Sequence, residues 1–345
     1  MSDELLDKYF IEKNLKDSSK KGYISALRKY ESFHNLSMDE LIDEAKKEEK
    51  ANIPLKDRTI KQRLISFRQY MIISSLSSNT SQTYFIKVKS FYKFNDIEMP
   101  VLSKIKYPND YEINYRDLPS KKDIKRAVEI GSSLMKAVIL FMVSSGSGKS
   151  ETLSLTVDQF IEGTKEYHRG GAVDEILDEL EHKDNVVPTF YIKRIKTDKY
   201  YFTFCSPEAT YYIVRYLKTR ENLNSKDSLF KISDAVLSEK FREINDLNNW
   251  GFKGKYRYFR PHALRKFHAS NIGLPAEYVD ELQGRGKNEV HEAYVKSNPD
   301  ELKKLYILKM DNLKIMDDKK EESQVKEEYN ITINIFLSDK DFIIH

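Results

Sequence analysis

Along the first third of the chain, apolar side chains recur at helical spacing. Tyr23, Leu27, Tyr30 and Phe33 fall on one helix face. Ser37 and Glu40 form a capping box ahead of Leu41. Arg58–Ser74 and Thr80–Phe94 read as two more amphipathic helices, the second with Tyr84, Val88 and Phe91 on a single stripe. These aromatics read as core. Residues 1–98 therefore predict a small all-α unit, and residues 99–119, with Pro100, Pro108 and Pro119, a linker.

Beyond the linker the period changes. Ser120 and Asp123 open a helix that stops near Gly131. Leu134–Val143 is apolar enough for a buried helix or a buried strand. Residues 161–185 are polar and charged, with room for a short helix at Ala172–Glu181. Val186–Ile195 and Lys199–Cys205 alternate like strands, and Lys196-Thr197-Asp198 between them makes a β-hairpin. Pro207–Lys218, Ser233–Asn245 and Glu301–Leu313 read as helices. Residues 120–313 thus predict a mostly α domain with a small β-hairpin or sheet, of the α+β class. Residues 314–345 add a charged linker, Asp317–Glu328, and a strand-like tail in which Ile331, Ile333, Ile335 and Leu337 alternate with Thr332, Asn334 and Phe336.

Composition narrows the setting more than the chemistry. The net charge is only +4 and 40% of residues are hydrophobic, so the whole-chain balance does not by itself indicate nucleic acid. The distribution is more telling. Trp250–Ala276 holds no Asp or Glu but carries Lys253, Lys255, Arg257, Arg260, Arg265 and Lys266, interleaved with Tyr256, Tyr258 and Phe259. That pattern suits a phosphate-facing patch. In the helical unit, Lys20, Lys21, Lys56, Arg58, Lys61, Arg63, Lys87 and Lys89 flank the apolar stripes, a face able to grip a duplex backbone. Cys205 is the only cysteine, which excludes an intrachain disulfide and fits a reducing, cytoplasmic setting. The acidic start lacks a signal-peptide core, and the longest apolar run, Ala137–Val143, is too short to cross a bilayer, which takes about 20 residues.

The candidate chemistry lies between Arg260 and Tyr294. His262 and Arg265 are three apart, on one helix face, and both can point at one anion. Arginine suits phosphate because its planar fork donates two parallel hydrogen bonds. Tyr294 downstream can serve as a nucleophile. No metal ligand cluster is needed, and no cofactor is expected. This stretch resembles the tyrosine recombinase (phage integrase) family, of an archaeal or viral type. The family reads His-x-x-Arg, then Leu-Gly-His, then a tyrosine nine residues after that histidine. His262, Arg265 and Gly284 match, Arg285 stands where the family has His or Trp, and Tyr294 falls nine residues beyond Arg285.

A second motif is ambiguous. Ser144-Ser145-Gly146-Ser147-Gly148-Lys149-Ser150-Glu151 nearly spells a phosphate-binding P-loop, but Val143 stands where its first glycine belongs. The resemblance offers another reading, the family's first arginine motif, Thr-Gly-Leu-Arg-x-x-Glu-Leu. In that register Gly148 fills the arginine position, Lys149 is the nearest cation, and Glu151 matches the acidic residue. Either Lys149 reaches the phosphate from a shifted backbone or the site lacks one anchor.

The resemblance implies an all-α N-terminal DNA-binding domain and a catalytic domain that cut and rejoin double-stranded DNA at specific sites, without metal or ATP. Tyr294 would form a 3′-phosphotyrosyl link. Arg265 and His262 would hold the phosphate oxygens, with Arg285, Lys149 and Glu151 completing the site. Lys196, at the family's hairpin position, would protonate the leaving 5′-oxygen, with Lys193, Arg194 and Lys199 as the neighbouring cations to which the role could shift. Lys255, Arg257, Arg260 and Lys266 would contact DNA, and the protein would act as a homo-oligomer, a tetramer on its sites. Two alternatives stay open: a recombinase-like DNA-binding protein with weakened or lost catalysis, and a P-loop NTPase.

Overall fold

The computed structural model describes residues 3–74, 76–105, 111–285 and 298–316. The chain divides into two units, Met1–Glu112 and a second that begins at Ile113. In the first, the described residues form five helices: α1 (Asp3–Glu12), α2 (Asp17–His34), α3 (Met38–Lys50), α4 (Thr59–Ile73) and α5 (Ser78–Phe94). The apolar stripes set their packing. Leu27 and Tyr30 of α2, Leu64 and Phe67 of α4, and Val88, Phe91 and Tyr92 of α5 are fully buried. Tyr30 meets Phe67 edge-on, with ring centroids 4.9 Å apart. The Ser37 capping box forms as its spacing predicts.

Several cations of this unit turn inward to acids. Arg63 grips Glu44 through two bonds, at 2.6 and 2.8 Å, and Arg58 pairs with Glu49 at 2.8 Å. Both fix helix contacts. Lys21, Arg28 and Lys29 of α2 instead line a surface groove with Ser25 and Tyr84.

The second unit is built around α7 (Ser133–Ser145), preceded by α6 (Lys121–Ile130). From Met135 to Ser145 every α7 side chain except Lys136 is buried. A helix apolar on all sides belongs in the middle of a core. The segment that read as helix or strand is therefore helix, and this removes the P-loop, which needs a strand before its glycines. Gly146 ends α7 in the left-handed region, at φ 65°.

Around α7 lie α8 (Lys149–Leu153), α9 (Val157–Gly163), α10 (Val173–Glu181), the hairpin β1 (Thr189–Arg194) and β2 (Lys199–Phe204), α11 (Pro207–Leu217) and α12 (Asp234–Leu247). The hairpin pairs Thr189 with Phe204 through to Arg194 with Lys199. A second hairpin, with the two-residue strands β3 (Phe252–Lys253) and β4 (Tyr256–Arg257), occupies part of the basic stretch Trp250–Ala276. Then come α13 (Pro261–Asn271), α14 (Ala276–Leu282) and a helix at Pro299–Lys309 that continues as a 3-10 turn, Met310–Leu313. Tyr306 of that helix is fully buried, and its hydroxyl donates to the Ser144 carbonyl at 3.0 Å. No described helix is long and apolar enough to cross a membrane. The expected tail strand, Ile331–Leu337, lies outside the described residues.

Candidate functional site

Two turns of the second unit converge on Arg265 of α13: the end of α7 at Gly146 and the end of α14 at Gln283 and Gly284. Arg265 Nη1 donates to the Gly146 carbonyl at 2.9 Å, and Nη2 to the Gln283 carbonyl at 2.6 Å. Gln283 answers by donating its Nε2 to the Arg265 carbonyl at 3.0 Å. The same Nε2 faces His268 Nδ1 at 3.0 Å. Since that nitrogen is the donor, Nδ1 accepts and the imidazole proton sits on Nε2.

Glycine is required at two of these turns. Gly146 has φ 65°, and a Cβ there would lie 2.6 Å from His268 Nδ1. Gly284 has φ 58°, and its Cβ would land on the Tyr201 ring. Both need a positive φ and a close approach, which L side chains do not permit.

The electrostatics are those of an anion site. Burial lowers the Arg265 pKa; the Tyr201 hydroxyl opposes this, the charges of Arg194 and Arg285 add to it, and Glu151 opposes it. The guanidinium stays protonated throughout. Burial also lowers the pKa of His262, with Lys266, Arg260, Arg265 and Arg285 acting the same way. Its ring is therefore mainly neutral at pH 7. An anion among these cations would offset part of this field and stabilise an imidazolium once the ring has taken a proton. His268 is fully buried, and burial, then Arg265 and Arg285, push its pKa down to about 3. Burial raises the Tyr201 pKa, with Ser147 and the charges of Arg265 and Arg194 opposing and Glu151 adding. Around this nest His268 Nε2 and Gln283 Oε1 are buried without a hydrogen bond.

The structure distributes the expected site residues unevenly. Arg265, His262, Arg285 and Glu151 share one electrostatic cluster. Glu151 is 8% exposed, and its Oε2 lies where a side chain on Gly148 would begin. Arg285 is partly neutralised by Asp280, 3.2 Å away. Lys149 turns elsewhere: its ammonium is 2.7 Å from Asp234 and 3.0 Å from Ser238, both on α12. Lys196 lies in the exposed turn of the first hairpin. Tyr294, and His291 beside it, fall outside the described residues.

Of the basic stretch, Arg257 forks onto Asp246 at 3.1 and 3.3 Å and stacks over Phe252. Arg260 lies 4.7 Å over the Tyr256 ring, and Lys255 5.3 Å from the same ring. Lys266 is partly buried and acts on His262. Among the described residues no cluster of three or more His, Cys, Asp or Glu could hold a metal ion.

Sequence reasoning gave no place in the nest to Gln283 and Tyr201, and saw Arg194 only as a neighbour of Lys196. Gln283 was visible only as the neighbour of Gly284. Tyr201 and Arg194 were available from strand parity, since Phe190, Ile192 and Arg194 share the inner face of β1. The Arg194 Nη1 donates to the Gly284 carbonyl.

No family model matches the chain, and no curated protein matches it. Solved structures do. A lambda integrase tetramer bound to a Holliday junction matches with a TM-score of 0.52 at 12% identity, over 85% of this chain and 76% of that one. The Tn1549 transposon integrase, in complex with transposon right end DNA, matches with a TM-score of 0.50 at 13% identity, over 87% of this chain and 96% of that one. The chain has the fold of the tyrosine recombinases.

Proposed function

We propose that this chain is a site-specific DNA recombinase that acts through a 3′-phosphotyrosyl intermediate. The observation that carries the reading is Arg265, held by two carbonyls among Arg194, Arg285 and His262, with the buried Glu151 in the same cluster. Rigid donors aimed at a position where charge develops act without reorganisation, and each contributes roughly 3 kcal/mol to a transition state.

In this scheme the Tyr294 oxygen attacks the scissile phosphorus as the bond to O5′ breaks. The neutral imidazole of His262 accepts the phenolic proton and, as imidazolium, donates to a non-bridging oxygen. Arg265 holds the phosphate oxygens, and Arg285, shared with Asp280, adds positive charge beside them. Lys196 delivers a proton to O5′, releasing a 5′-hydroxyl. Reversal by another 5′-hydroxyl rejoins DNA, because the phosphodiester energy is stored in the tyrosyl link. Lys255, Arg260 and Lys266 and the Lys21–Arg28–Lys29 groove would supply backbone contacts. The protein would act inside the cell as a homo-oligomer on duplex DNA, as the lambda integrase tetramer does on its junction.

The test is covalent capture from a random-sequence duplex pool carrying 5′-bridging phosphorothiolates, which trap the intermediate. The full chain should retain DNA through denaturation, and Tyr294→Phe should bind the recovered duplex equally well yet retain none. Tyr294→Phe forming the same adduct would sink the assignment of the nucleophile. The absence of an arginine at Gly148 favours a second reading, DNA binding without cleavage. That reading requires specific duplex binding by the wild-type chain with no adduct at all.

A further inference from the structure

We propose that Arg194 supplies the second phosphate-binding guanidinium of this site, in place of the one that Gly148 cannot offer; the inference rests on the recombinase reading above. Three observations lead to it.

Residue 148 carries no side chain, and Glu151 Oε2 covers its Cα. A Cβ there would lie 3.7 Å from Arg265 Nη1, so position 148 borders the Arg265 fork directly. The adjacent cation does not fill the gap, because Lys149 is engaged with Asp234 and Ser238.

Arg194 reaches the turn that holds Arg265 from β1. Strand parity puts it on the inner face of β1 with Phe190 and Ile192, while Lys193 points outward. Its Nη1 donates to the Gly284 carbonyl, the residue next to Gln283, whose carbonyl holds Arg265 Nη2. Two guanidiniums thus grip consecutive carbonyls of one turn. The Tyr201 ring, which packs under Gly284, comes from the strand paired with β1.

The bond to Gly284 uses one edge of the Arg194 fork and leaves the rest for a ligand. Among the described residues no carboxylate pairs with Arg194, whereas Arg285 is tied to Asp280. Arg194 is also one of the charges felt by Arg265 and by the Tyr201 hydroxyl. A phosphodiester has two non-bridging oxygens, and both gain charge as phosphorus is attacked. Arg265 answers one and Arg194 the other.

Gly284 and Lys196 give the arrangement a further consequence. The hairpin that carries Lys196 is tied to the Arg285 turn through Arg194, so the leaving-group acid and the phosphate cradle are set by one side chain.

The test uses full-length protein and the duplex recovered by covalent capture. Arg194→Ala should slow adduct formation by about a hundredfold or more, the usual effect of removing one such donor, while duplex affinity changes only a few-fold. A purely structural anchor would give the same loss, so a second substrate separates the two. With one non-bridging oxygen of the scissile phosphate replaced by methyl, there is less charge to hold. The deficit of Arg194→Ala should then shrink by at least about tenfold, whereas loss of a mere anchor leaves it unchanged. Adding Gly148→Arg to Arg194→Ala should restore cleavage in part, with Glu151 moving aside. If Arg194→Ala does not fold, Arg194→Gln, which keeps an amide donor for the Gly284 carbonyl, is read the same way. Adduct rates within threefold of wild type, or an equal deficit on both substrates, overturn the proposal. A wild-type chain that captures no DNA at all overturns the recombinase reading instead.

Discussion

Gly146 and His268 touch so closely that a methyl group on Gly146 would lie 2.6 Å from the imidazole Nδ1. The contact joins the end of the central helix to the last turn of α13. It fixes where the Gly146 carbonyl presents itself to Arg265.

Gly146→Ala should therefore cost more than backbone strain alone. Gly251 supplies the control: its φ is 63°, and nothing lies within 4 Å of its absent Cβ. Gly251→Ala should lose about 1 kcal/mol, from the left-handed backbone. Gly146→Ala should lose roughly 2–4 kcal/mol, because the buried imidazole and Gln283 must also move. Denaturant unfolding of the two variants measures the difference, and equal losses would contradict the close packing.

His268 makes stability depend on pH. Its folded pKa, about 3, lies below its ordinary value of 6.5. Between these values the unfolded chain binds a proton that the native state does not. Stability from this group is thus complete above 6.5 and declines as pH falls, by about 1.4 kcal/mol per pH unit. His268→Asn has no such group. The gap between wild type and His268→Asn should narrow at that slope from pH 6.5 downward. A gap independent of pH would mean that the imidazole can be protonated in place.

Lys149 provides a test of the site's composition. Its pair with Asp234 lies near the surface, with the two side chains 30% and 64% exposed. Such pairs contribute about 0–1 kcal/mol. Lys149→Met should change stability by less than about 1 kcal/mol and adduct formation by only a few-fold. A drop of several orders of magnitude at unchanged DNA affinity would show that Lys149 swings from Asp234 to the phosphate during the reaction.

The C-terminal segment gives a prediction about assembly. Glu208 accepts hydrogen bonds from the Ile315 and Met316 backbone amides, which fixes the last described residues at the start of α11. The alternating stretch at Ile331–Leu337 gains little unless a sheet edge covers it. Removal of residues 317–345 should leave the two units folded and duplex binding intact, and should reduce higher-order assembly on DNA or covalent capture. Gel filtration of the protein–DNA complex and the adduct assay read the two effects. Assembly and capture at wild-type level would make the segment a bystander.

The sequence by itself determined the elements. Apolar spacing located α4 and α5 within a residue or two and placed one face of α2, and the capping boxes at Ser37 and Ser120 formed where their spacing put them. Alternation located the first hairpin, though its first strand starts at Thr189 rather than at Val186. These features are local: hydrogen-bond periodicity and burial on one face act over a few residues. His262, Arg265 and Gly284 were likewise readable, because their order and spacing lie in one contiguous stretch.

What only the tertiary structure decided is what meets what. Leu134–Val143 is helix in the folded chain, and apolar content alone cannot distinguish that from a buried strand. The helix, standing where a strand would be needed, removed the P-loop reading. The engagement of Lys149 with Asp234 joins residues 85 positions apart. The grip of Arg194 on Gly284 joins residues 90 apart. No periodicity encodes such distances. They follow from the packing of the hairpin, α13 and the α14 turn around one central helix, and that packing selects which arginines face the site.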